Sequence, residues 1–466
     1  MRKRLIKAVV CILLVGMIFT YINNMLFIKY SDGIYSLNVF YELEDDTVDV
    51  LFLGSSHAFE DFNTSVLWDE YGMASYVLGG SMQPTWNTYY YLKEALETQK
   101  PQLIVLEGYG LTYSDSYMNK YQMYKNTLGI RSFSNRISNI NTSVSFKERF
   151  ELLFPLFSFH DRYAELTYED FLPNKGDMFY ESWKGFANNF ETEKHVSPEI
   201  INDGEVEELS PKTEKYYRKI IELAQKNDIP IMVIVNPYPD AKKGDIKKFN
   251  RAKEIAAKYK VDFFDYSLDE EAFGIDYGCD VSDKYHLNYK GNKKLSLKID
   301  EMIVSKYHVS DRRGDAKYSS WEENSKVLKR MVYNYENKVE TAKQLGGEPY
   351  SSDYALFVFC GDQYKKEDHL EEYMMKQGIV IGQEDKSYIW FKDSSSDEIM
   401  IFEDLISDFF IKKTMENDAS KVDYNLNEEY YTKSEKGINV VVYDKYLEKV
   451  VDNYGIEFQD DFVIIR

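Results

Sequence analysis

Two short motifs, far apart in the chain, carry side chains that could perform nucleophilic catalysis. The first is GSSH at positions 54–57, which directly follows the β-forming run VDVLFL. The second is DKYH at positions 283–286, within CDVSDKYHLNYKG. A serine hydroxyl is a weak nucleophile at its ordinary pKa, so it needs a base within hydrogen-bond distance and a third group that orients the base. Ser56, His286 and Asp283 are residue types that can fill these three roles.

The choice of base is narrow, because the chain contains only six histidines. His57 adjoins Ser56, and the side chains of adjacent residues usually diverge. His286 stands three residues after Asp283, a spacing that lets the carboxylate bind one ring nitrogen while the other stays available. Each motif alone has a plainer interpretation, since Ser55 or Ser56 could cap a helix and Asp283 a turn. Their joint presence predicts Ser56 as nucleophile, His286 as base and Asp283 as its orienting acid.

The elements that must position these residues are predicted by the hydrophobic pattern. VDVLFLG, SYVLGG and PQLIVLEG read as short buried strands, separated by segments with helical spacing of apolar residues. The alternation continues through TEKYYRKIIELAQKNDIPIMVIV and FNRAKEIAAKYKVDFFDY, and the amphipathic helix GNKKLSLKIDEMIV closes the unit. This order predicts an α/β fold of three layers with a doubly wound parallel sheet, in which ligands bind where the strands end. Ser56 directly follows the first strand, at such a position.

Length and composition divide the chain into four predicted parts. With 466 residues it is too long for one ordinary domain. We predict a basic tail and anchor in 1–30, the α/β domain in 31–308 with a helical insertion at about 111–202, a linking helix in 309–349, and a smaller α+β or mostly β domain in 350–466. The last domain is inferred from the strand-like runs YALFVFC, SYIWFKD, EIMIFED, INVVVYD and FVIIR, with HLEEYMMKQG helical between the first two.

The N-terminal segment has the features of a single-pass membrane anchor. AVVCILLVGMIFTYINNMLFI matches one helical crossing of the hydrocarbon layer, which takes roughly 20 residues. Arg2, Lys3, Arg4 and Lys7 precede it, so the positive-inside rule predicts an extracytoplasmic position for the rest of the chain. No small-residue cleavage site stands out, which favours an uncleaved anchor over a signal peptide. Cys11 follows a valine inside the apolar run, so we interpret it as a membrane cysteine.

Composition argues against several kinds of function. The formal net charge of −21, without a clustered basic surface, disfavours nucleic-acid binding. Only Cys279 and Cys360 would lie outside the membrane, so no disulfide framework is expected. An exported protein without disulfides suggests a bacterial source, which we predict to be Gram-positive. We see no set of residues with metal-ligand spacing and no phosphate-binding glycine loop, so we expect no metal and no cofactor.

The two motifs resemble the SGNH, or GDSL-type, serine hydrolase superfamily. Its first block is a strand followed by G-D-S, and its last block is D-x-x-H, here GSSH and DKYH. The resemblance covers about 280 residues and implies the roles already given for Ser56, His286 and Asp283. It further implies that the backbone N–H of Gly79 in SYVLGGSMQP, or less favourably of Gly80, binds the oxyanion.

The chain departs from this superfamily after its third strand. The usual G-x-N-D supplies an asparagine to the oxyanion hole, whereas this chain has LIVLEGYG. The backbone N–H groups of Ser56 and Gly79 could still bind the oxyanion, with Gln83 or Asn87 as side-chain donors. In lacking this asparagine, the chain resembles the membrane-anchored acyl-transfer branch of the superfamily. Proteins of that branch act in alginate and cell-wall O-acetylation and in teichoic acid D-alanylation. That resemblance implies an acylated glycan or teichoic-acid-like polymer of the cell envelope as substrate, and a multi-spanning membrane acyltransferase as partner.

Other interpretations remain open. GSSHA differs from the G-x-S-x-G elbow of α/β-hydrolases only at Ala58, but that fold places its serine later and its acid far from its histidine. The chain could instead be a surface glycan-binding or assembly protein whose hydrolase domain is degenerate. It could also be an anchored structural protein in which GSSH is coincidental.

Two further segments give weaker predictions. FSFHDRYAELTYEDF, residues 157–171, resembles a stretch in clostridial relatives of the superfamily, and we expect His160 and Arg162 to bind the acceptor substrate. A core-lining aromatic helix is the plainer interpretation of that stretch. GINVVVYDKYLEKVVDNYGIEF resembles a strand pair of the interleukin-like EMT-inducer domain, which would imply a binding module, although a plain β-hairpin or strand–helix pair has the same pattern.

Overall fold

The computed structural model describes residues 2–29, 31–171, 184–338, 354–360, 389–393, 425–426, 429–447, 449–458 and 462–466. The chain forms two compact units, Met1–Leu328 and Lys329–Arg466. The predicted helix HLEEYMMKQG and the predicted strand EIMIFED lie outside the described residues.

The first unit alternates strands and helices. Its strands are β1 (Val50–Gly54), β2 (Ser75–Gly79), β3 (Leu103–Glu107), β4 (Ile231–Val235) and β5 (Asp262–Asp265). Its helices are α1 (Arg2–Leu26), α2 (Asp32–Phe40), α3 (Ser56–Asp61), α4 (Thr64–Tyr71), α5 (Thr85–Ala95), α6 (Lys120–Thr127), α7 (Phe133–Ser143), α8 (Arg149–Leu153), α9 (Pro155–Phe159), α10 (Pro211–Lys226), α11 (Lys243–Lys258), α12 (Tyr289–Tyr307) and α13 (Ser319–Glu336), of which α13 continues past Leu328. Short 3-10 turns occupy Tyr109–Thr112, His160–Ala164, Tyr168–Phe171, Glu270–Phe273 and Ala316–Tyr318.

The five strands form one parallel sheet in the order β2-β1-β3-β4-β5. Every residue of β1 to β4 is buried, as expected when helices cover both faces of a parallel sheet. This confirms the predicted α/β class with a doubly wound parallel sheet. Because the strand order reverses between β1 and β3, the segments that follow β1, β2 and β3 converge at one edge of the sheet.

The helices cover the sheet with their apolar sides. In α12, the helix predicted to be amphipathic, Leu295, Ile299 and Ile303 are buried, whereas Met302 is only partly buried. In α10 the buried residues recur at helical spacing and join the main hydrophobic core beside the sheet. The amphipathic pattern therefore determines which side of each helix faces the strands.

Among the described residues of the predicted helical insertion, the helices lie in the first part. Helices α6 to α9 belong to it, but residues 186–210 contain neither helix nor strand. Their backbone groups bond to neighbouring segments instead, because the N–H of Ala187 donates to the Phe59 carbonyl and that of Glu193 to the Val281 carbonyl. This part of the insertion is thus an extended strap across α3 and the loop before α12.

The N-terminal helix α1 is apolar and exposed. Within the described residues, it contains the one segment that is long and apolar enough to cross a membrane, Val9–Leu26. Large side chains such as Ile12 and Val15 are mostly exposed on it, and Cys11 is exposed as well. Its length and composition match those of a membrane anchor or a signal sequence.

The second unit is built around an antiparallel sheet. Its strands are β6 (Tyr354–Cys360), β7 (Ile389–Asp393), β8 (Asn425–Leu426), β9 (Glu429–Tyr430), β10 (Ile438–Asp444), β11 (Lys449–Phe458) and β12 (Phe462–Ile465). Five of them pair in the order β12-β11-β10-β6-β7, and β8 pairs with β9. GINVVVYDKYLEKVVDNYGIEF forms the antiparallel pair β10 and β11. The buried Asp444 binds Arg330 at 2.6 Å and Asn334 at 2.8 Å. The likeness to an EMT-inducer domain stays a prediction.

A buried acid in α12 predicts how stability depends on pH. Asp300 is fully buried, and neither of its carboxylate oxygens has a hydrogen-bond partner among the described residues. Burial raises the pKa of Asp300 to about 8. Its pKa is therefore higher in the folded chain than in the unfolded chain, so the folded state loses stability as pH rises from about 4 to about 8, at roughly 1.4 kcal/mol per pH unit.

We expect Asp300→Asn to raise the melting temperature by roughly 4 °C at pH 8.5 and by much less at pH 5. The amide keeps the shape of the side chain but cannot ionise. Thermal unfolding of the full chain in detergent across this pH range measures the effect. Glu301→Gln, which changes the exposed neighbouring acid, is the control. An equal shift at both pH values would contradict the predicted titration of Asp300.

Candidate active site

The nucleophile candidate lies at a sharp transition from strand to helix. β1 ends at Gly54, Ser55 is the N-cap residue, and Ser56 is the first residue of α3. A side chain at position 54 would place its Cβ 2.8 Å from the Cβ of Glu107, so glycine is required there. Ser56 is 8% exposed, which leaves its hydroxyl accessible at the edge of the sheet.

The structure brings the three predicted residues together. His286 Nε2 lies 2.8 Å from Ser56 Oγ, although the two residues are 230 positions apart. His286 Nδ1 lies 2.9 Å and 3.1 Å from the two carboxylate oxygens of Asp283. Asp283 Oδ1 also accepts the backbone N–H groups of Tyr285 and His286, at 2.6 Å and 2.9 Å, which fixes the carboxylate within its loop. A serine, a histidine and an aspartate in this order can transfer an acyl group through the serine.

The charges of the site favour a protonated imidazole before a substrate binds. Burial opposes the charge on His286, but the hydrogen bond to Asp283 and the nearby Glu60 and Asp61 outweigh it and raise the pKa of His286 to about 9. Burial likewise opposes the charge on Asp283, but its bonds to His286 and to backbone N–H groups lower the pKa of Asp283 to about 2. Asp283 is therefore ionised at neutral pH and stabilises the imidazolium that forms when His286 accepts a proton.

Two acids from α3 were not predicted. Glu60 Oε1 lies 3.9 Å from His286 Nε2, on the nitrogen that faces Ser56. Asp61 is fully buried and accepts the backbone N–H of Leu287 and the amide of Asn236, both at 3.1 Å. Burial raises the pKa of Glu60 and that of Asp61 to about 7.

The sequence did contain a signal for one of these acids. In a helix that begins at Ser56, residue 60 lies one turn later on the same face, so the SHAFE spacing places a carboxyl beside the hydroxyl. Asp61 lies 3.9 Å from His57 Nδ1, one turn earlier in α3, but the hydrogen bonds that bring it to the site come from segments 175 and 226 positions away. It acts on the site by joining α3 to the loop that carries His286.

His57 has no contact that would let it serve as the base. Its ring is buried and stacks on Tyr109 with centroids 3.9 Å apart, and the described residues offer neither ring nitrogen a hydrogen-bond partner. Burial lowers the pKa of His57 well below its ordinary value, so the ring is neutral. His57 therefore packs against His286, with the two ring centroids 5.2 Å apart.

The predicted side-chain donors to the oxyanion are bound elsewhere. Gln83 Nε2 donates to Asn126 at 3.2 Å, and Asn87 Nδ2 donates to Asn139 at 2.8 Å. Both side chains are buried against the insertion rather than brought to Ser56. The physical reason is that α6 and α7 offer amide oxygens that satisfy these donors in the interior.

Gly79, by contrast, lies at the site. It ends β2 beside β1, where an added Cβ would stand 2.7 Å from the Gly54 carbonyl oxygen. The end of β3, where an asparagine was sought, carries Glu107. This buried carboxyl accepts the N–H of Tyr109 at 2.6 Å, and burial raises its pKa to about 8, so it is neutral at pH 7.

A cavity of about 520 Å³ adjoins the triad through Glu60 and Gly79. Its walls come from α2, from the end of β2 and from the strap, with contributions from α6. Its aromatic lining includes Tyr35 and Phe186. Its ionisable lining consists of Glu60 and the ion pair of Lys125 Nζ with Asp32 Oδ2 at 2.7 Å. Such a mixture of aromatic, carboxylate and amide groups can bind a ligand that is both hydroxylated and partly apolar.

The two residues expected to bind an acceptor are not at this cavity. Arg162 donates to the carbonyl oxygens of Leu26 and Phe27, at 2.7 Å and 3.1 Å, where α1 ends. It also pairs with Asp170 at 3.0 Å, and His160 is an exposed residue beside Asp161. The structure therefore uses the FSFHDRY stretch to hold the end of α1. Within the described ranges, no cluster of three or more His, Cys, Asp or Glu residues could hold a metal ion.

Comparisons with known proteins return distant structural matches, from which we draw no conclusion about this chain. No protein-family model matches the chain, and no curated protein matches it. Among solved structures, a protein described as an acylhydrolase from Bacteroides fragilis matches at 13% identity and a TM-score of 0.29, covering 57% of this chain and 93% of that one. An acetyl xylan esterase matches at 13% identity and a TM-score of 0.27, covering 55% of this chain and 98% of that one. The activity of this chain is therefore to be inferred from the geometry of Ser56, His286 and Asp283.

Proposed function

We propose that the protein is a serine esterase or O-acyltransferase that works through an acyl-serine intermediate. The observation that carries this proposal is the continuous hydrogen-bonded chain from Ser56 Oγ through His286 to Asp283, with links of 2.8 Å and 2.9 Å. These distances lie within the range needed for proton transfer between a nucleophile and its base.

In the first half-reaction, Ser56 Oγ attacks the acyl carbonyl carbon while its proton passes to His286 Nε2. The carbonyl oxygen becomes an oxyanion, for which the backbone N–H groups of Ser56 and Gly79 are our proposed donors. When the carbon–oxygen bond to the alcohol breaks, His286 returns the proton to the leaving oxygen. The acyl group is then held on Ser56 as an ester.

In the second half-reaction, an acceptor hydroxyl attacks the acyl-serine and loses its proton to His286 Nε2. The bond between the acyl carbon and Ser56 Oγ then breaks, and His286 returns the proton to Ser56 Oγ. Water as the acceptor releases a carboxylic acid, so the protein acts as an esterase. A second alcohol as the acceptor forms a new ester, so the protein acts as a transferase. Glu60, which lies beside His286 Nε2 and lines the cavity, is placed to accept a hydrogen bond from that hydroxyl.

The residues that line the cavity support the proposal that the substrate is acylated and rich in hydroxyl groups. Its aromatic residues can stack on a sugar ring, while Asp32, Glu60 and Lys125 can bind hydroxyl groups. We infer that the alcohol portion of the ester lies there, with the acyl carbonyl at Ser56. An acylated glycan or a teichoic-acid-like polymer of the cell envelope has this chemistry.

The proposed location is the outer face of a cell membrane. The apolar span Val9–Leu26 follows a basic N-terminus, so the positive-inside rule favours export of everything after it. An anchored enzyme at this location would be close to membrane-bound acyl donors, including a multi-spanning acyltransferase, and this closeness favours transfer over hydrolysis.

Covalent labelling tests the proposal directly. The full chain in detergent is exposed to a fluorophosphonate, and its intact mass is measured beside Ser56→Ala and Ser55→Ala variants. We expect one adduct on the wild type and on Ser55→Ala, and none on Ser56→Ala. The Ser56 hydroxyl lies 2.8 Å from an imidazole nitrogen, whereas the buried Ser55 hydroxyl donates to the carboxyl of Glu107 at 3.4 Å. A folded wild type without an adduct would favour the alternative of a degenerate, glycan-binding surface protein.

A second prediction concerns the acid beside the base. The neutral form of His286 is the active base, so activity should rise as the pH passes through the pKa of His286, about 9. Glu60→Gln removes a negative charge 3.9 Å from Nε2 and should move this rise lower by about one pH unit. The pH profile of kcat/KM for p-nitrophenyl acetate measures the shift. Glu97→Gln, at an exposed position outside the site, is the control, and profiles that coincide would contradict this role for Glu60.

A further inference from the structure

The insertion between β3 and α10 exposes an unusual number of large apolar side chains. Soluble surfaces seldom collect so many in one segment without a partner. We call these seven residues the aromatic patch: Phe133, Phe146, Phe150, Leu153, Phe154, Tyr163 and Phe171. Phe146 is the most exposed, at 83%, and Phe150 is exposed at 54%. Their side chains face outward although the same helices also contribute buried residues to the core.

Part of the aromatic patch lies on segments that contact the end of α1. Arg162 binds the carbonyl groups of Leu26 and Phe27, which are the last acceptors of the apolar helix. The Phe27 ring packs on Phe159 with centroids 6.1 Å apart, and Leu26 belongs to a buried cluster with Leu152. Helix α9 and both 3-10 turns of the FSFHDRY stretch contact α1. The segments that carry Tyr163 and Phe171 are therefore attached to the end of the apolar helix.

A shared groove sets the depth of the patch relative to the apolar helix. Phe19 and Asn23 of α1 line this groove together with Leu153 and Phe154 of the patch. Phe19 lies inside the span Val9–Leu26, about 10 Å before its end at roughly 1.5 Å per residue. If the span crosses a bilayer, Leu153 and Phe154 lie at the boundary between head groups and acyl chains, where apolar side chains are favoured.

Basic residues accompany the patch, as an interface with phospholipid requires. Arg131 and Arg136 line the same groove as Leu153 and Phe154. The guanidinium of Arg149 lies 5.8 Å from the centre of the Phe146 ring. Long basic side chains can keep their charge at the level of lipid phosphates while their stems contact apolar groups.

We propose that the aromatic patch docks onto the outer leaflet of the membrane that α1 crosses, so that the first unit rests on the bilayer. This proposal rests on the membrane anchor in the proposed function, but not on the triad chemistry.

Docking would also fix the distance between the cavity and the membrane. The chain from Leu26 to Asp32 can extend at most about 20 Å, and Asp32 lines the cavity beside Glu60. The cavity is therefore held near the membrane surface, which suits an ester carried on a membrane-bound molecule.

The test measures the depth of single positions in a lipid bilayer. The full chain, with Cys11, Cys279 and Cys360 changed to serine, is reconstituted into nanodiscs of phosphatidylglycerol and phosphatidylcholine. Phe146→Cys, Phe150→Cys and Val196→Cys variants are each labelled with a fluorophore. Val196 is the matched control, because it is an apolar residue of the strap with similar exposure, 82%. Lipids with a nitroxide on the upper acyl chain then quench any label that reaches the interface.

We expect roughly half of the fluorescence to be lost at positions 146 and 150, and little at 196, because interfacial side chains are buried roughly 5–10 Å into this boundary. Equally weak quenching at all three positions, in discs that hold the protein, would overturn the docking proposal. A chain that does not stay with the discs would overturn both the anchor and the docking. Fluorophosphonate labelling of Ser56 would persist in either case, so failure of docking is distinguishable from failure of the catalytic proposal.

Discussion

Replacing Ser56 or His286 by alanine is expected to lower the kcat of ester hydrolysis by about 10⁴- to 10⁶-fold. Ser56 Oγ forms the bond to the acyl carbon, and His286 Nε2, at 2.8 Å, removes the proton that would otherwise stay on the nucleophile. Because each residue is useless without the other, the double variant should be no slower than the slower single variant. This lack of additivity is the signature of a nucleophile and a base that act as one unit.

Steady-state hydrolysis of p-nitrophenyl acetate by the full chain in detergent measures this effect, with circular dichroism as a check on folding. His195→Ala is the matched control, since His195 also pairs with a carboxylate, Glu193 at 3.0 Å, but lies in the strap away from Ser56. That variant should keep the wild-type rate. If His286→Ala kept it too, another group would have to be the base, and the mechanism proposed for Ser56 would be wrong.

Replacing Asp283 by asparagine is expected to lower kcat by roughly 10²- to 10⁴-fold with little effect on folding. The carboxylate accepts from His286 Nδ1, which leaves Nε2 free to accept the Ser56 proton. An amide can present an N–H group to Nδ1 instead, and this stabilises the tautomer whose Nε2 carries a hydrogen. It also removes the charge that stabilises the imidazolium.

The size of this loss should fall toward the lower end of the range, because the Asp283 side chain is 43% exposed and water can partly replace it. Single-turnover kinetics separates acylation from deacylation, and both should slow, since His286 acts in each. Asp276→Asn is the control, because Asp276 also binds a backbone N–H in the same loop region but does not contact His286. Equal rates for Asp283→Asn and wild type would show that His286 is oriented by its loop alone.

Interactions between residues close in sequence could be predicted from the chain alone. The apolar runs that became β1 to β4 are buried on both faces, so their composition alone indicates a parallel sheet. The spacing of Asp283 and His286 brings their side chains within 2.9 Å inside one short loop. The closing helix α12 likewise buries most of the residues that its periodicity selects. In each case the predictive signal is a pattern among a few neighbouring residues, even though the strands themselves pair with distant segments.

Predictions about side chains with distant partners were less successful. Gln83 and Asn87 have the chemistry of oxyanion donors, but Asn126 and Asn139 bind them in the interior. Arg162 has the chemistry of a substrate ligand, but the carbonyl groups at the end of α1 bind it. Nothing in the neighbouring sequence reveals these competing acceptors. A polar side chain goes to whichever partner the packing places nearest, and packing is a property of the whole fold.

The sequence by itself thus determined the α/β class and the apolar N-terminal helix, and it indicated Ser56, His286 and Asp283 as candidates for a nucleophile, a base and an acid. Only the tertiary structure decided that Ser56 meets His286 across 230 positions and that Glu60 and Asp61 surround the same imidazole. The physical reason is that hydrophobic periodicity acts over a few residues, so it can be read along the chain. The meeting of Ser56 and His286 depends on the order in which the strands pair, and their distance and charge follow from that pairing.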